Sequence, residues 1–347
     1  MENYNKILII RTDRMGDVLL STPVVKVLRK KFPKSYIAFM VRPYTQDIVR
    51  GNPYLDEVIV YDKYGRDKSF LSSLKFALSL RKKKFDLTLI LHPTNRIHIV
   101  TFLAGIRKRV GYNKKFGFLL TDKVEDIKHL GKKHELDYNF DILKAIGIKD
   151  TSRELYMPIL EDDEDCINSI LEEKNISRND KIIAINPTAS CPSKIWPAER
   201  FGKICSILIK NYNLKIALIC SDKDIDICRK VSSFIEDNNY VVFSGLKLRQ
   251  LAALLKKASL LISNDSGPVH IAVAVKTPVI SIFGRNQAGL SPTRWKPLGE
   301  NDIVLHKEVG CRECLAHNCN RGFKCLKSIT VEDVLNAAKK FEKNISS

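Results

Sequence analysis

Short apolar runs alternate with longer amphipathic segments along the whole chain. Runs rich in Ile, Leu and Val that are too short for buried helices predict strands. The predicted strands span residues 6–11, 36–41, 57–61, 86–91, 181–186, 214–220, 240–243, 260–263 and 278–283. Helical patterns lie between most of these strands, and this alternation predicts βαβ units with parallel sheets.

The helical patterns fill the segments between the strands. They span residues 17 to about 31, 69–82, 96–104, 198–210, 224–234, 248–257, a segment from about 268, and 330 to about 343. Pro23 interrupts the first helix and is expected to kink it. The last helix begins with Thr-Val-Glu-Asp at Thr330, which resembles a capping box.

The alternation restarts after an acidic run at residues 161–165, which follows Pro158. Carboxylates at a helix start complement the helix dipole, so this run is expected to open a helix and to mark a domain boundary. With 347 residues the chain is long enough for two domains of about 150 residues each. The economical fold is α/β, with two successive doubly wound domains and a cleft between them.

Positive charge is concentrated in the first half of the chain. The sequence has 58 Lys and Arg against 39 Asp and Glu, a formal net charge of +19. Residues 1–160 hold 31 basic and 17 acidic residues, whereas residues 161–347 hold 27 and 22. This excess favours an anionic partner, which can be a nucleic acid, an acidic membrane surface or a phosphorylated substrate.

The composition also indicates where in the cell the protein is expected. No apolar run approaches the roughly 18–20 residues that span a bilayer, and the first residues lack the apolar core of a signal peptide. We therefore expect a cytoplasmic protein that touches a membrane only from outside it. Nine cysteines are an odd number in a long chain of this kind, so a disulfide framework is not expected.

Chemistry is expected in the loops that follow strands, because ligands bind at the carboxyl ends of strands in open α/β sheets. The first such loop contains Gly16, which lets the backbone turn tightly, and then Asp17. Neither a G-x-G-x-x-G motif nor a Walker lysine is present. Asp17 fits two explanations, a helix N-cap and a carboxylate that takes a proton from a substrate hydroxyl.

The loop at residues 186–197 follows a strand and precedes a helix that opens with proline. Its hydroxyl residues Thr188 and Ser190, its exposed amides and Lys194 suit a phosphate or pyrophosphate. The alternative is a polar loop with a solvated lysine.

The loop at residues 264–270 is the most specific local signal. The backbone N–H groups of Ser266 and Gly267 would point at an anion at the start of a helix. Asp265 would bind sugar hydroxyls. His270 lies one helical turn further on, where a buried histidine bonded to the backbone is the alternative.

Together these loops resemble glycosyltransferase family 9, the ADP-heptose:lipopolysaccharide heptosyltransferases. The matching stretches are R-T-D-R-M-G-D-V-L-L-S-T-P at residues 11–23, D-L-T-L-I-L-H at 86–92, K-I-W-P at 194–197 and S-N-D-S-G-P-V-H at 263–270. Val110-Gly111-Tyr112 and His134 also look like that family. The resemblance covers nearly the whole chain in the right order.

The resemblance implies a GT-B fold, with two Rossmann-like doubly wound parallel-sheet domains facing a central cleft. Residues 1–160 would bind the acceptor. Residues 161–329 would bind the nucleotide-sugar donor and include a Cys-rich tail at 311–325, and residues 330–347 would form a C-terminal helix.

The resemblance also implies roles for individual residues. Asp17 matches the family's proposed catalytic base, Lys194 its donor-phosphate lysine and Asp265 the acid near the donor sugar. Ser266, Gly267 and His270 fall in the donor phosphate loop, Thr188 and Ser190 lie where the family has small hydroxyl residues, and Arg14 and Gly16 belong to the loop between donor and acceptor.

The function implied is inverting transfer of a heptose from ADP-heptose to a lipopolysaccharide core or related glycolipid, with no cofactor required for catalysis. The expected partners are the donor, an anionic glycolipid acceptor and the inner face of the cytoplasmic membrane, and not nucleic acid. The basic first domain would attract the acceptor and attach to anionic lipid.

Four cysteines near the C-terminus form a separate motif. They are Cys311, Cys314, Cys319 and Cys325. Four thiolates can hold Zn²⁺ or an iron–sulfur cluster in a structural role. Reduced structural thiols and redox disulfides are the alternatives.

Two other functions fit parts of the sequence. The basic runs at residues 81–84 and 107–109 could be the footprint of a nucleic-acid-binding protein, although no known module and no interleaved aromatic residues accompany them. A GT-B transferase that uses another nucleotide sugar is the second, because the motifs do not specify the base or the sugar.

Overall fold

The computed structural model describes residues 3–345 and divides the chain into two units, Met1–Pro158 (unit 1) and Ile159–Ser347 (unit 2). The described residues form two six-stranded sheets, one in each unit, with parallel pairing throughout. The last two residues of the predicted C-terminal helix segment, 346 and 347, lie outside the described residues.

The two sheets share one strand order. The strands of unit 1 are β1 (Lys6–Ile10), β2 (Tyr36–Val41), β3 (Glu57–Val60), β4 (Leu87–Ile90), β5 (Lys108–Tyr112) and β6 (Asp122–Val124). The strands of unit 2 are β7 (Ile182–Asn186), β8 (Lys215–Cys220), β9 (Tyr240–Ser244), β10 (Leu260–Asn264), β11 (Val279–Phe283) and β12 (Ile303–His306). Their orders are β3-β2-β1-β4-β5-β6 and β12-β11-β10-β7-β8-β9, which is the Rossmann order in both units.

Helices connect most of the strands. In unit 1 they are α1 (Met15–Leu19), α2 (Thr22–Lys31), α3 (Phe70–Lys83), α4 (Asn95–Leu103) and α5 (Glu135–Lys144). In unit 2 they are α6 (Glu161–Glu173), α7 (Ala198–Tyr212), α8 (Ile225–Ser232), α9 (Leu248–Lys257), α10 (Gly267–Ala274), α11 (Pro292–Trp295), α12 (Lys324–Ser328), α13 (Val331–Lys339) and α14 (Glu342–Ile345). Among residues 3–345, no helix has the length and apolar character that crossing a bilayer requires.

The central strands are buried on both faces, as covered parallel sheets require. In β1, the side chains of residues 7–10 are 0% exposed. In unit 2 the indole of Trp196 is fully buried, meets the ring of Phe201 edge-on at 4.9 Å and donates from Nε1 to the backbone oxygen of Ile329 at 2.9 Å. This packing anchors the loop that carries Lys194 to the core of unit 2.

The first predicted helix differs from the structure. The chain forms two helices instead of one kinked helix, because α1 ends at Leu19 and α2 begins at Thr22. Pro23 lies in the first turn of α2, where its missing N–H removes no helical hydrogen bond. The predicted capping box is confirmed, since Thr330 and Asp333 bond reciprocally at the start of α13.

Candidate functional site

Polar clusters lie at equivalent places in the two sheets. In unit 1 they follow β1 and β4, and in unit 2 they follow β7 and β10. In each sheet these two strands are neighbours from which the strand order runs in opposite directions. Ligands of doubly wound sheets bind at this switch point, outside the carboxyl ends of the strands.

In unit 1, one buried arginine is shared by three carboxylates. Arg11 follows β1 and is 2% exposed. Its Nε donates to Oδ1 of Asp13 at 2.9 Å, and its Nη2 donates to Oδ1 of Asp17 at 2.5 Å and to Oε1 of Glu135 at 3.0 Å. These four residues are the Arg11 cluster, and Nζ of Lys128 also donates to Oε1 of Glu135 at 2.7 Å. The sequence pattern indicated only Asp17 among the members of the cluster.

The Arg11 cluster changes the acidity of its carboxyl groups. Burial, reinforced by the negative charge of Asp13, raises the pKa of Asp17 to about 6, although Arg11 opposes the shift. Burial also raises the pKa of Asp13. A carboxyl group with a pKa near 6 is mostly ionised at neutral pH and more basic than an ordinary carboxylate. Asp17 therefore has the protonation behaviour that a general base needs.

The local backbone around Asp17 differs from the predicted tight turn. Helix α1 begins at Met15, its N-cap residue is the exposed Arg14, and Asp17 lies in its first turn. The N-cap explanation of Asp17 is therefore wrong. Gly16 is helical and is absent from the residues with positive φ, so the turn does not need a glycine at this position.

A neutral histidine lies at the same edge of the sheet. Nδ1 of His92, which follows β4, is 3.3 Å from Oγ1 of Thr12. Burial, together with the positive charges of Arg11 and Lys63, lowers the pKa of His92 to about 3. The imidazole is thus uncharged at physiological pH and can exchange hydrogen bonds with a substrate hydroxyl without carrying a charge.

Two cations at this edge of the sheet lie against tyrosine rings, Arg42 after β2 and Lys63 after β3. The guanidinium of Arg42 lies 4.7 Å from the ring centroid of Tyr44 and 4.6 Å from that of Tyr64. Nζ of Lys63 lies 5.2 Å from the ring of Tyr64. The hydroxyl of Tyr44 donates to the backbone oxygen of Asp13 at 3.0 Å, which ties this group to the Arg11 cluster. Cations held here favour an anionic ligand.

In unit 2, an amide network joins the loops after β7 and β10. Nδ2 of Asn186 donates to Oγ of Ser263 at 2.9 Å and to Oγ of Ser266 at 2.7 Å. Oγ1 of Thr188 donates to Oδ1 of the same asparagine at 2.9 Å. The structure therefore brings the predicted residues Thr188 and Ser266 together and holds both loops in place.

Two cations share one carboxylate beside this network. Nζ of Lys194 lies 2.9 Å from Oδ2 of Asp265 and also donates to the backbone oxygen of Asp265 at 3.1 Å. Nη2 of Arg285 donates to the same Oδ2 at 3.1 Å. These three side chains, at most 13% exposed, are the Lys194 triad. Its excess of positive charge suits an anion such as a diphosphate.

The remaining predicted donor residues lie in different surroundings. Ser190 is exposed on its loop, whereas His270 is 4% exposed within α10. Gly267 begins α10, with Ser266 as its extended N-cap residue. The N–H groups at this helix start remain the predicted anion contact, and the roles of these residues stay predictions.

The four C-terminal cysteines do not form the predicted metal centre. Among residues 3–345, no three His, Cys, Asp or Glu side chains are grouped so that they could hold a metal ion. The thiols have separate partners: Sγ of Cys325 donates to the backbone oxygen of Gly284, and Sγ of Cys314 accepts from the backbone N–H of Asn286. The structure thus gives the zinc or iron–sulfur hypothesis no support, and all four thiols are free.

The model of glycosyltransferase family 9 (heptosyltransferase) matches residues 73–324. Lipopolysaccharide heptosyltransferase 3 of Escherichia coli (strain K12) is 27% identical over 338 residues, which cover 94% of both chains. These matches span both loops of the unit 2 site.

Solved structures of glycosyltransferases have the same fold as this chain. The crystal structure of a family 9 glycosyl transferase from Veillonella parvula DSM 2008 has a TM-score of 0.88 and 26% identity, with 98% of both chains covered. E. coli heptosyltransferase WaaC with ADP-2-deoxy-2-fluoro heptose has a TM-score of 0.69 and 17% identity, with 96% of this chain and 99% of that chain covered. The two Rossmann-like parallel-sheet domains expected of a GT-B protein are confirmed.

The family match decides between the enzyme and the nucleic-acid-binding alternative. It covers most of the chain, including the basic runs at residues 81–84 and 107–109. Those runs therefore lie within a transferase domain. The chain belongs to glycosyltransferase family 9 and is a glycosyltransferase.

Proposed function

We propose that the protein transfers a heptose from ADP-heptose to a hydroxyl of a lipopolysaccharide core or related glycolipid, with inversion at the anomeric carbon. The observation that carries this proposal is the Arg11 cluster, in which Asp17 combines burial, a raised pKa and a place at the switch point of the first sheet.

In this mechanism Asp17 acts on the acceptor. The acceptor oxygen attacks the anomeric carbon of the donor while its proton passes to the ionised carboxylate of Asp17. Arg11 holds Oδ1 of that carboxylate by a partly buried hydrogen bond, which orients it. Arg11 is thus a positioning residue, and Asp17 is the proposed catalytic base.

The second unit acts on the leaving group in the same step. As the bond between the anomeric carbon and the phosphate oxygen breaks, negative charge grows on the departing ADP. Lys194 and Arg285 bring positive charge to the strand ends, and the N–H groups at Ser266 and Gly267 would add two donors. Groups placed where charge develops commonly contribute on the order of 10²–10³ in rate.

Asp265 is proposed to adjust this positive charge. Without a ligand it accepts from both Lys194 and Arg285, so the buried cations are compensated. A diphosphate would share these cations with Asp265, whose carboxylate could then accept from donor sugar hydroxyls. Each member of the Lys194 triad would thus act on the donor.

The identities of donor and acceptor are supported by the relatives and by charge. The similar protein from E. coli (strain K12) is a lipopolysaccharide heptosyltransferase, and the WaaC structure contains an ADP-heptose analogue. Residues 1–160 hold 31 basic and 17 acidic residues. Arg42 lies over the ring of Tyr44, whose hydroxyl donates to Asp13, and Lys63 donates to the backbone oxygen of Thr12. This first unit suits an acceptor with carboxylates and phosphates, presented at the inner face of the cytoplasmic membrane.

The direct test is a donor and acceptor profile with purified protein. ADP-heptose, ADP-glucose, UDP-N-acetylglucosamine and GDP-mannose would each be incubated with heptose-deficient lipopolysaccharide, and the product mass measured. We expect transfer from ADP-heptose at least about tenfold faster than from the others, and an anomeric configuration opposite to that of the donor by NMR. Preferential use of another donor, or a retained configuration, would refute the corresponding part of the proposal.

A further inference from the structure

Unit 1 has an exposed aromatic surface that its catalytic chemistry does not use. Phe102 on α4 is 49% exposed, and Phe116 and Phe118, between β5 and β6, are 37% and 67% exposed. The rings of Phe116 and Phe118 are in contact, with centroids 5.4 Å apart. Large exposed aromatic side chains in a cluster indicate an interaction surface.

Arg109 connects the three rings into one patch. Its guanidinium lies 5.5 Å from the ring centroid of Phe102. Its Nε donates to the backbone oxygen of Leu119, in the turn that carries Phe118. The rings on α4 and those on the connection to β6 are therefore held on one face by a single arginine.

Basic residues surround the rings. Residues 102–123 contain six Lys and Arg and one acidic residue, Asp122. Arg107 and Lys115 are exposed, whereas Lys108 pairs with Asp122 and Lys114 pairs with Asp126. The aromatic patch is defined as Phe102, Phe116, Phe118, Arg107, Arg109 and Lys115.

We propose that the aromatic patch is the surface by which unit 1 attaches to an anionic lipid bilayer. Aromatic rings insert at the boundary between headgroups and acyl chains, and Lys and Arg around them bind anionic headgroups. Residues 102–123 hold six Lys and Arg against one Asp, and this excess of positive charge is complementary to anionic headgroups. The proposal rests on the proposed function, in which the acceptor is a membrane glycolipid.

One end of the patch lies near the proposed acceptor site. Lys115 follows β5 and His92 follows β4, the strand that pairs with β5 in parallel, so both residues lie at the carboxyl end of the same sheet. His92 in turn lies beside Thr12, next to the Arg11 cluster. Attachment through the patch would hold the Arg11 cluster close to the lipid surface that presents the acceptor.

The test is sedimentation of the full-length protein with sucrose-loaded vesicles, without donor. One set contains phosphatidylcholine with 30 mol% phosphatidylglycerol, and the other contains phosphatidylcholine alone. We expect binding to the anionic set, a fall of about tenfold or more for Phe116→Ser/Phe118→Ser, and a fall of about fivefold per residue for Arg107→Gln and Lys115→Gln.

The matched control is Phe70→Ser/Leu71→Ser, which removes two side chains of unit 1 that are 70% and 69% exposed but lie outside the patch. It should retain vesicle binding. Equal loss in the control and the patch variant, equal binding to both vesicle sets, or wild-type binding by the Phe116/Phe118 variant would each overturn the proposal.

Activity on a delipidated, water-soluble acceptor separates this proposal from the proposed function. The Phe116→Ser/Phe118→Ser variant should transfer heptose to that acceptor at the wild-type rate, while losing activity on vesicle-embedded acceptor. Absence of heptose transfer by the wild type would refute the proposed function and leave the vesicle result to decide the patch. Loss of activity on the soluble acceptor in the variant would show that the patch is not solely a lipid surface.

Discussion

The Arg11 cluster and the Lys194 triad occupy equivalent switch points but have opposite excess charge. In unit 1, the guanidinium of Arg11 is shared by three carboxylates, Asp13, Asp17 and Glu135. Lys128 pairs with Glu135 as a second cation, so the carboxylates still outnumber the cations. In unit 2, one carboxylate is shared by two cations, Lys194 and Arg285. The same strand order thus supports two electrostatically complementary sites.

The stoichiometry of charge decides what each cluster can do. A carboxylate among other carboxylates holds its proton more tightly, and the pKa of Asp17 is accordingly raised by burial and by Asp13. A carboxylate between two cations leaves positive charge for an additional anion. A doubly wound scaffold therefore sets the position of a site, whereas the ratio of acidic to basic side chains sets its chemistry.

The largest expected effect comes from removing the base. Asp17→Asn keeps an oxygen that can accept from Arg11 but cannot take a proton, so we expect turnover to fall about 10²–10⁴-fold. ADP binding, measured by calorimetry, should persist because the Lys194 triad is in the other unit.

Asp13→Asn is the comparison that makes this test specific. Asp13 also bonds to Arg11, and its pKa is also raised by burial. If Asp13→Asn abolishes turnover and Asp17→Asn does not, the base is Asp13 and the proposed assignment is wrong.

The second effect concerns the cationic cluster. Lys194→Ala removes one of two cations and leaves Asp265 with Arg285 alone, so we expect ADP affinity to fall about 10- to 100-fold by calorimetry. Lys203→Ala, on α7 with a side chain that is 58% exposed, should leave affinity unchanged. Unchanged affinity in Lys194→Ala would mean that this loop does not contact the diphosphate.

Much of the fold could be predicted because its central strands are continuous apolar runs. Strand β2 has the predicted bounds, β1 and β7 differ by one residue at one end, and β4 is one residue shorter at each end. The apolar pattern missed the edge strands β6 and β12. It also missed the inner strand β5, whose residues 110–112 were indicated only by the family resemblance. Strand β6 has the sequence Asp-Lys-Val, which has no apolar run to detect because an edge strand is only half covered.

The site was predictable only where its residues lie in one loop. Asp17, Lys194 and Asp265 lie in local motifs. Arg11 lies at the end of a predicted strand, where nothing in the sequence indicates a role in the site. Its partner Glu135 is 124 positions away, and the fold alone brings them together. Arg285 was missed for a similar reason: it follows the strand next to that of Asp265, and only the sheet order makes them neighbours.

A third effect is the pH dependence of turnover. Because Asp17 must be ionised to accept a proton and its pKa is raised by burial to about 6, we expect kcat/KM to fall about tenfold per pH unit below pH 6. His92, whose pKa is lowered by burial to about 3, should not contribute between pH 4 and pH 8. A profile that stays flat down to pH 4.5 would contradict the Asp17 assignment, whereas ADP affinity need not follow the same curve.

The smallest effect is on stability, and it tests the charge excess of the Arg11 cluster independently of activity. The pKa of Asp17 is about 6 in the folded protein, where burial raises it, and has an ordinary value of 3.8. Between pH 3.8 and pH 6 the folded state holds a proton on Asp17 that the unfolded chain releases. The stabilisation of the folded state by this proton is fully present below pH 3.8 and is lost as the pH rises through 6. A shift of two units corresponds to about 3 kcal/mol. Asp17→Asn should then be more stable than wild type by about 1–3 kcal/mol at pH 8.

Thermal unfolding of both proteins from pH 4 to pH 8 measures this difference, with about 2–4 °C expected per kcal/mol. Subtracting the wild-type curve cancels all other titrating groups, so the gain of Asp17→Asn should shrink toward zero at pH 4. A variant that is less stable than wild type at pH 8 would show that Arg11 outweighs burial and the neighbouring carboxylates. The carboxylate excess would then be no obstacle to ionising Asp17, and the contrast with the Lys194 triad would lose its physical basis.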